Sequence, residues 1–461
     1  MHPLLALLLC VCLILWLFQT DSRWRHGSSY ALLIPGIWIA ILGSRPASYW
    51  FGAGGGGDTD GNPINTFLFA FLIVSSTAVL FNRGFKWGQA IGKNKAIFLI
   101  YLYLALSAFW SEAPLVSLKR LVKDFGCVLA ALVLLTEMNP AEAIRIVFVR
   151  VSYLLFPLAW VTEKYFPQIG RGYSVAGEPM LTGLTTQKNT LGQVLFVFGL
   201  MLVWDLLEVR KMERGKQRRL QERIRIGLLL LGSWLMIRCD SQTSLVCFLV
   251  AMFILWLGRR LVRVPNGKQL LVSCIVAAFG LVALDKTLNI SDTVIRALGR
   301  NPTLTGRTQI WHLVMEQQTN PIFGEGFYIF WDTEKGNAII RALARIQSAH
   351  NGYLELYVDG GMIAVCLLGV LLLASGKRAI DRWFEQTPLG MMALIFWLLV
   401  VLYNFSESNY FRLAPLWFAF LLLTIECPRR MWRASRSQQK TERLPCPAYR
   451  NSPGYAHYQR R

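Results

Sequence analysis

Apolar residues run in long blocks along most of this chain, separated by short polar connections. A helix needs about 20 apolar residues to cross a bilayer. Blocks of that order stand at 2–19, 29–44, 64–82, 95–110, 121–138, 144–162, 189–208, 224–241, 243–258, 269–288, 351–375, 388–405 and 410–427. The block at 29–44 is short and also suits a re-entrant segment. The first has the apolar core of a signal peptide. It lacks a basic n-region, and no small-x-small cleavage site precedes Asp21, so it is read as a span. The pattern predicts an all-α, polytopic membrane helix bundle of about 12–13 transmembrane helices.

Composition agrees. Of 461 residues, 54% are apolar and 16% charged, against roughly 25% charged in soluble proteins. The 16 Trp and 15 Tyr suit the belts that form at membrane interfaces. A formal charge of +21 would point to nucleic acid in a soluble protein. Here the basic residues fill connections between apolar blocks and the aromatic residues sit inside the blocks, which argues against nucleic-acid binding. The nine Cys form neither a CxxC pair nor a metal-ligand spacing, and read as packing residues.

Alternating the connections sorts them into two groups. One holds 20–28, 83–95, 137–145, 209–225, 259–268, 376–387 and the tail from 428, and is rich in Lys and Arg. The other holds 45–63, 111–120, 163–188, 238–242, 289–350 and 405–410. Its short connections are sparse in both, apart from 111–123 with Lys119, Arg120 and Lys123. The positive-inside rule puts the first group and the C-terminus in the cytoplasm. Three regions follow: N-terminal membrane helices at 1–94, a membrane domain at 95–427 with one large outer loop at about 289–350, and a basic tail at 428–461, polar enough to be disordered.

The polar sequences of interest gather on the outer side. Gln347-Ser348-Ala349-His350-Asn351-Gly352-Tyr353-Leu354-Glu355 ends the large loop and opens a span. An imidazole at a helix start is placed to accept a proton, and His350 or Asn351 would equally serve as a simple cap. Thr305-Gly306-Arg307-Thr308-Gln309-Ile310-Trp311 precedes Asn320-Pro321-Ile322-Phe323-Gly324-Glu325-Gly326. An arginine fork holds phosphate oxygens; Arg307 would also pair with a nearby acid, and the glycines permit a tight turn near a ligand or merely turn the chain. Arg341 and Arg345 lie one turn apart on one helical face, as an anion site or a solvated surface. Trp110-Ser111-Glu112-Ala113-Pro114 leads to Ser117, Lys119 and Arg120, which break the charge pattern by snorkelling or by lining an outward cationic pocket. The hydroxyl- and amide-rich stretch 172–192, with Lys188 and Asn189 at its helix start, suits sugar contact; Asn189 is alternatively a cap. Asp205, Arg238, Asp240, Glu355 and Asp359 are charges within spans, which are costly and often functional; Asp205 lies near the cytoplasmic end, within reach of water.

In order, these residues spell W-S-x-x-P-x-x-S-L-x-R, K-N-x-L-G, G-R-x-x-x-W, N-P-x-x-G-x-G and H-N-x-x-L-E. The series, from about residue 95 to 425, resembles the O-antigen ligase and O-antigen polymerase superfamily. The R-G-Y-S…G-E…T-G-L-T-T-Q-K-N-T-L-G stretch is most similar to its rhizobial exopolysaccharide-polymerising branch. The resemblance implies a GT-C-like helical glycosyltransferase of the bacterial inner membrane, with a large periplasmic loop, no metal and no cofactor. It implies transfer of a glycan from undecaprenyl pyrophosphate, with His350 as base and Arg307 as phosphate-binding cation. Arg120, Arg238, Lys188, Asn189, Arg341, Arg345, Asn351 and Glu355 are candidate substrate contacts. Two positions depart from the family pattern. Ala364 stands at the last place of the His-Asn…Gly…Gly series, where Gly361 fits the first glycine. Gln242 stands where many members carry Arg, with Arg238 four residues back and on the same face if the helix continues.

The chain shows no Walker A, Rossmann or Asp-x-Asp motif. With its polar motifs outside and sugar nucleotides made inside, it is expected to use an oligosaccharide already activated on a polyprenyl pyrophosphate. Expected partners are that donor, membrane lipids and other polysaccharide assembly and export proteins. A ligase acting on a lipid A-core acceptor shares this chemistry. A transporter or flippase of lipid-linked oligosaccharide is the reading from another class; it usually shows two related halves and a midplane site, and neither is evident here.

Overall fold

The structure is a computed structural model that describes residues 1–25, 29–52, 61–173, 177, 179–261, 263–273, 307–343 and 346–428. Arg345, most of the predicted span 269–288, the first part of the large loop and the tail beyond 428 lie outside the described residues. Residues Met1–Cys427 form one compact unit. Its described part is helical apart from an antiparallel pair of short strands, Arg171–Tyr173 with Pro179–Leu181. Lipid explains this: a spanning segment must satisfy its own backbone hydrogen bonds, and a helix does so within itself.

Every apolar block other than 269–288 coincides with a helix. Several begin on side-chain caps followed by proline at the first turn, where its missing N–H costs nothing. Asn62 caps Pro63–Asn82, and Asn139 caps Pro140–Tyr165. Six helices are long and apolar enough to cross a membrane: Pro3–Trp24, Pro63–Asn82, Pro140–Tyr165, Lys188–Lys211, Gln242–Leu261 and Gly352–Phe384. Trp87–Lys93 with Lys95–Trp110, bent by 99°, would supply one more. The multi-pass bundle expected from the sequence is present. Among the described residues, its remaining blocks are either short helices or, like Pro114–Leu135 and Lys216–Cys239, long helices with charges in one half.

Burial orders the bundle. Lys188–Lys211 and Pro140–Tyr165 are largely enclosed by protein, whereas Pro3–Trp24 and Pro63–Asn82 turn residues such as Leu8, Leu15, Phe67 and Phe71 outward, as lipid-facing helices do. At the centre, Gly390–Tyr403 and Pro415–Thr424 are buried almost throughout. At 1.5 Å per residue they are only about 15–21 Å long, short of the roughly 30 Å hydrocarbon core. The connector 404–414 is therefore irregular backbone held inside the protein. Asn404 organises it: its Oδ1 accepts from Asn409 N (2.7 Å) and Tyr410 N (3.1 Å), and its carbonyl accepts from Gly352 N (2.9 Å). A Cβ on Gly352 would lie 1.9 Å from Asn404 Oδ1, so this approach requires glycine.

Asp205 does not face water. It is fully buried, and accepts from Arg25 (2.7 Å), Arg225 (2.9 Å) and Arg145 (3.2 Å). Asp21 stands beside it with Arg150 at 2.8 Å. The network ties the ends of four helices together, about 24 Å along Lys188–Lys211 from Asn189 at 1.5 Å per residue. Breaking a buried ion pair by removing one partner costs about 3–5 kcal/mol. Asp205→Ala should therefore lower the melting temperature of the purified protein in detergent sharply. An unchanged melting temperature would show that the network contributes no stability.

Candidate active site

The site forms where residues 307–343 and 346–352 of the outer segment meet the connector 404–414 and the start of Lys188–Lys211. A small core of Ile310, Val314, Phe330, Trp331, Ile339, Ala349 and Val358 consolidates the outer segment. Its G-R-x-x-x-W motif has a direct geometric meaning. Arg307 and Trp311 lie one turn apart on Arg307–Glu316 and share a face. Trp311 Nε1 donates to the Ala349 carbonyl (2.8 Å), the residue before His350. Arg307 Nη2 reaches Glu407 Oε1 at 2.6 Å. One helical face thus fixes the histidine turn and delivers a cation to it.

Glu407 is the meeting point. Its Oε1 also accepts from Asn189 Nδ2 (2.7 Å), and its Oε2 lies 3.2 Å from His350 Nδ1. A carboxylate oxygen only accepts, so Nδ1 carries the hydrogen of this bond, and in the neutral ring the lone pair is then on Nε2. His350 remains 28% exposed, so the imidazole is held yet reachable. It adopts φ 47°, a left-handed conformation uncommon for residues other than glycine and typical of constrained functional turns.

Glu355 secures that turn. Its Oε1 accepts from Ala349 N (2.7 Å) and Ser348 Oγ (2.9 Å), and its Oε2 from Trp331 Nε1 (3.0 Å) and Arg412 Nη2 (3.2 Å). It is 3% exposed, so its carboxylate acts on the protein's own backbone. Asn351 caps Gly352–Phe384, accepting from Tyr353 N and Leu354 N. Asn189 caps nothing: Gln187 stands at the cap position without a side-chain bond, and Asn189 Oδ1 accepts from Ser241 Oγ (3.2 Å). Lys188 lies 3.6 Å from Asp240.

Other candidates lie apart from Glu407. Arg120 binds the Tyr328 carbonyl and Asp332 Oδ2, the latter at 2.6 Å, and its guanidinium covers the Tyr328 ring. Arg341 pairs with Glu334 on the exposed face of Glu334–Ala342. The continued helix that would align Arg238 with Gln242 is not formed. Lys216–Cys239 stops at Asp240, which is left-handed (φ 50°), and a new helix begins at Gln242. Arg238 donates instead to Glu163 (3.0 Å), and Gln242 donates to Asp240 (2.8 Å).

The glycines of N-P-x-x-G-x-G serve the backbone. Gly352–Phe384 breaks at Gly361 (φ 64°), and the 320–326 loop fills the break: Met362 N donates to the Pro321 carbonyl (2.9 Å), and Glu325 N and Gly326 N donate to Val358 and Asp359 carbonyls (2.9 Å each). A Cβ on Gly324 would meet the backbone of Asp359 and Gly360 within 2.6 Å. Trp110 Nε1 donates to the Phe323 carbonyl (3.2 Å) and Ser117 Oγ to the Phe327 carbonyl (2.9 Å), so the W-S-x-x-P-x-x-S motif clamps the same loop, and Ser107, just ahead of the motif, accepts from Phe327 N (3.0 Å). A cleft of about 730 Å³ beside it is lined by Trp110, Asn320, Phe323 and Lys335, and none of its lining residues belongs to the Glu407 cluster.

Glu407 and Arg412 escaped the sequence reading. Glu407 is a lone charge in the predicted connection 405–410 and Arg412 a lone charge at the start of the predicted block 410–427, neither in a recognisable motif, and only the fold brings them to His350 and Glu355. The available signal was position: acidic and basic side chains flanked by two apolar blocks. A buried donor stripped of its partner costs about 1–3 kcal/mol. Glu355→Ala strands several at once, and should lower the melting temperature while raising backbone hydrogen exchange around 346–352. Exchange equal to wild type would deny Glu355 its hold on the histidine turn.

Residues 227–369 match a family model described as O-Antigen ligase. That range includes Arg238, Arg307, His350, Glu355 and Gly361, and ends before Glu407. The chain is also 26% identical over 308 residues to the exopolysaccharide production protein ExoQ of Rhizobium meliloti (strain 1021), covering 63% of this chain and 66% of that protein's length. The comparisons thus support the resemblance read from the ordered motifs: this multi-pass membrane chain is similar to O-antigen ligases over 227–369, and a rhizobial exopolysaccharide production protein is among the proteins it is similar to.

Proposed function

We propose that this protein is a membrane glycosyltransferase that polymerises oligosaccharide repeats carried on undecaprenyl pyrophosphate, at the periplasmic face of the bacterial inner membrane, for an exopolysaccharide or related glycan. The observation that carries the reading is the convergence of His350 and Arg307 on Glu407. A base and a cation of phosphate-binding type share one cluster, and the uncapped start of Lys188–Lys211 lies beside it with N–H groups of the kind that attract anions.

In this reaction the acceptor hydroxyl attacks the anomeric carbon of the donor sugar. The new C–O bond forms as the bond from that carbon to the phosphate oxygen breaks. The hydroxyl proton passes to His350 Nε2, and the lipid pyrophosphate leaves with the bonding electron pair. Arg307 and Lys188 balance the charge on the leaving group, which positive side chains do well in a site shielded from water. The charge bias of the connections puts this cluster outside and the C-terminus inside. The ExoQ relative, named for exopolysaccharide production, favours repeat polymerisation over transfer to lipid A-core.

Purified protein in liposomes, supplied with a lipid-linked repeat, should form multimers without added metal or cofactor. Transfer to a lipid A-core acceptor with no multimers would make it a ligase, and movement of the donor across the bilayer without bond formation would make it a transporter. Loss of a general base typically costs a factor of about 100 to 10,000. His350→Ala should lower the transfer rate into that range at normal expression, and full polymer synthesis by this variant would reject the assignment.

A further inference from the structure

The placement of Glu407 raises a question that the transfer chemistry leaves open. Arg307 is the cation proposed to meet the donor, yet it is already paired with an internal acid at 2.6 Å, and both side chains are largely buried. The same acid faces His350 through its other oxygen. One negative charge is thus shared between the group that would bind the leaving pyrophosphate and the group that would accept the proton.

We propose that Glu407 is an exchangeable counter-ion that couples donor binding to the base, an inference that rests on the glycan-transfer reading above. Glu407 holds Arg307 in this structure. When a pyrophosphate arrives, the arginine fork turns to phosphate oxygens, with which it makes two parallel charge-assisted bonds. No covalent bond changes in this exchange. The carboxylate charge, no longer divided, then lies against His350 Nδ1–H. There it stabilises the imidazolium that forms when Nε2 takes the acceptor proton, as the acid of a catalytic triad does. The base reaches full effect only with a donor in place, so the donor binds before the acceptor is activated.

The surroundings suit an exchange in which the acid stays and the arginine moves. Asn189 Nδ2 stays on Oε1, and the amide is held from its other end by Ser241. The Glu407 backbone is tied down as well: its N–H donates to the Tyr403 carbonyl (3.0 Å), and its carbonyl accepts from Gly352 N (3.1 Å), two residues from His350. Among the described residues, Glu407 is the acid that Arg307 pairs with.

Glu407→Gln separates the two roles. Glutamine leaves Arg307 without its counter-charge and deprives His350 of a charged partner. In proteoliposomes, Glu407→Gln should bind farnesyl pyrophosphate, a donor analogue that carries no sugar, as tightly as wild type or several-fold tighter. Its turnover of the lipid-linked repeat should fall by a factor of about 100 or more. Arg307→Gln should lose analogue binding, and Glu407→Asp should recover part of the turnover. Because Glu407 acts through His350, Glu407→Gln combined with His350→Ala should be no slower than His350→Ala alone. The proposal is overturned if Glu407→Gln loses analogue binding as Arg307→Gln does, if it keeps wild-type turnover, or if the two losses multiply in the double variant. Failure of the transfer reading looks different: wild-type turnover by His350→Ala, whatever Glu407→Gln does to analogue binding.

Discussion

Irregular backbone packed among membrane helices survives only where the protein itself satisfies its N–H and C=O groups, and this constraint shapes the site. The connector 404–414 lies between two helices too short to cross the membrane. Its polar groups are met by Asn404, by Gly352 and by the serines around Glu355. The break at Gly361 obeys the same rule: the amides and carbonyls freed there bond to the 320–326 loop. Two gaps in helical structure, each filled by a specific loop, therefore hold the outer segment against the bundle and set His350 beside Glu407.

The family-like motifs divide accordingly into those that build the scaffold and those that gather at Glu407. Ser117 of W-S-x-x-P-x-x-S, the nearby Ser107 and the glycines of N-P-x-x-G-x-G are joinery: the serines complete backbone contacts, and the glycines allow approaches that a larger side chain would prevent. Arg120 and Arg412 cover the Tyr328 ring at 4.9 and 3.7 Å, and Arg412 continues to Glu355 and Asp359. This cationic layer supports the histidine turn from beneath. His350, Arg307, Asn189 and Lys188 are left at the junction of the outer segment and the bundle.

The bundle was legible in the sequence because lipid demands long apolar blocks, and block length survives any detail of packing. The outer motifs were legible because their spacing is helical: Arg307 and Trp311 share a face, and Asn351 stands where a cap belongs. Pairings across distant segments were not. Asp205 looked water-accessible because nothing local shows that Arg25, Arg145 and Arg225 enclose it. Arg238 looked aligned with Gln242 because the left-handed turn at Asp240 has no glycine or proline to announce it. Glu407 carries no motif at all, and its importance comes wholly from three partners more than 50 residues away along the chain.

The central claim is that these partners form one site for a lipid-borne pyrophosphate. An experimental structure with a non-transferable pyrophosphate lipid tests it most directly. The account predicts phosphate oxygens within hydrogen-bond distance of Arg307, with His350 Nε2 facing the carbon that a sugar would occupy. A pyrophosphate seated away from Arg307, or at the Asp205 end of the bundle, would contradict it.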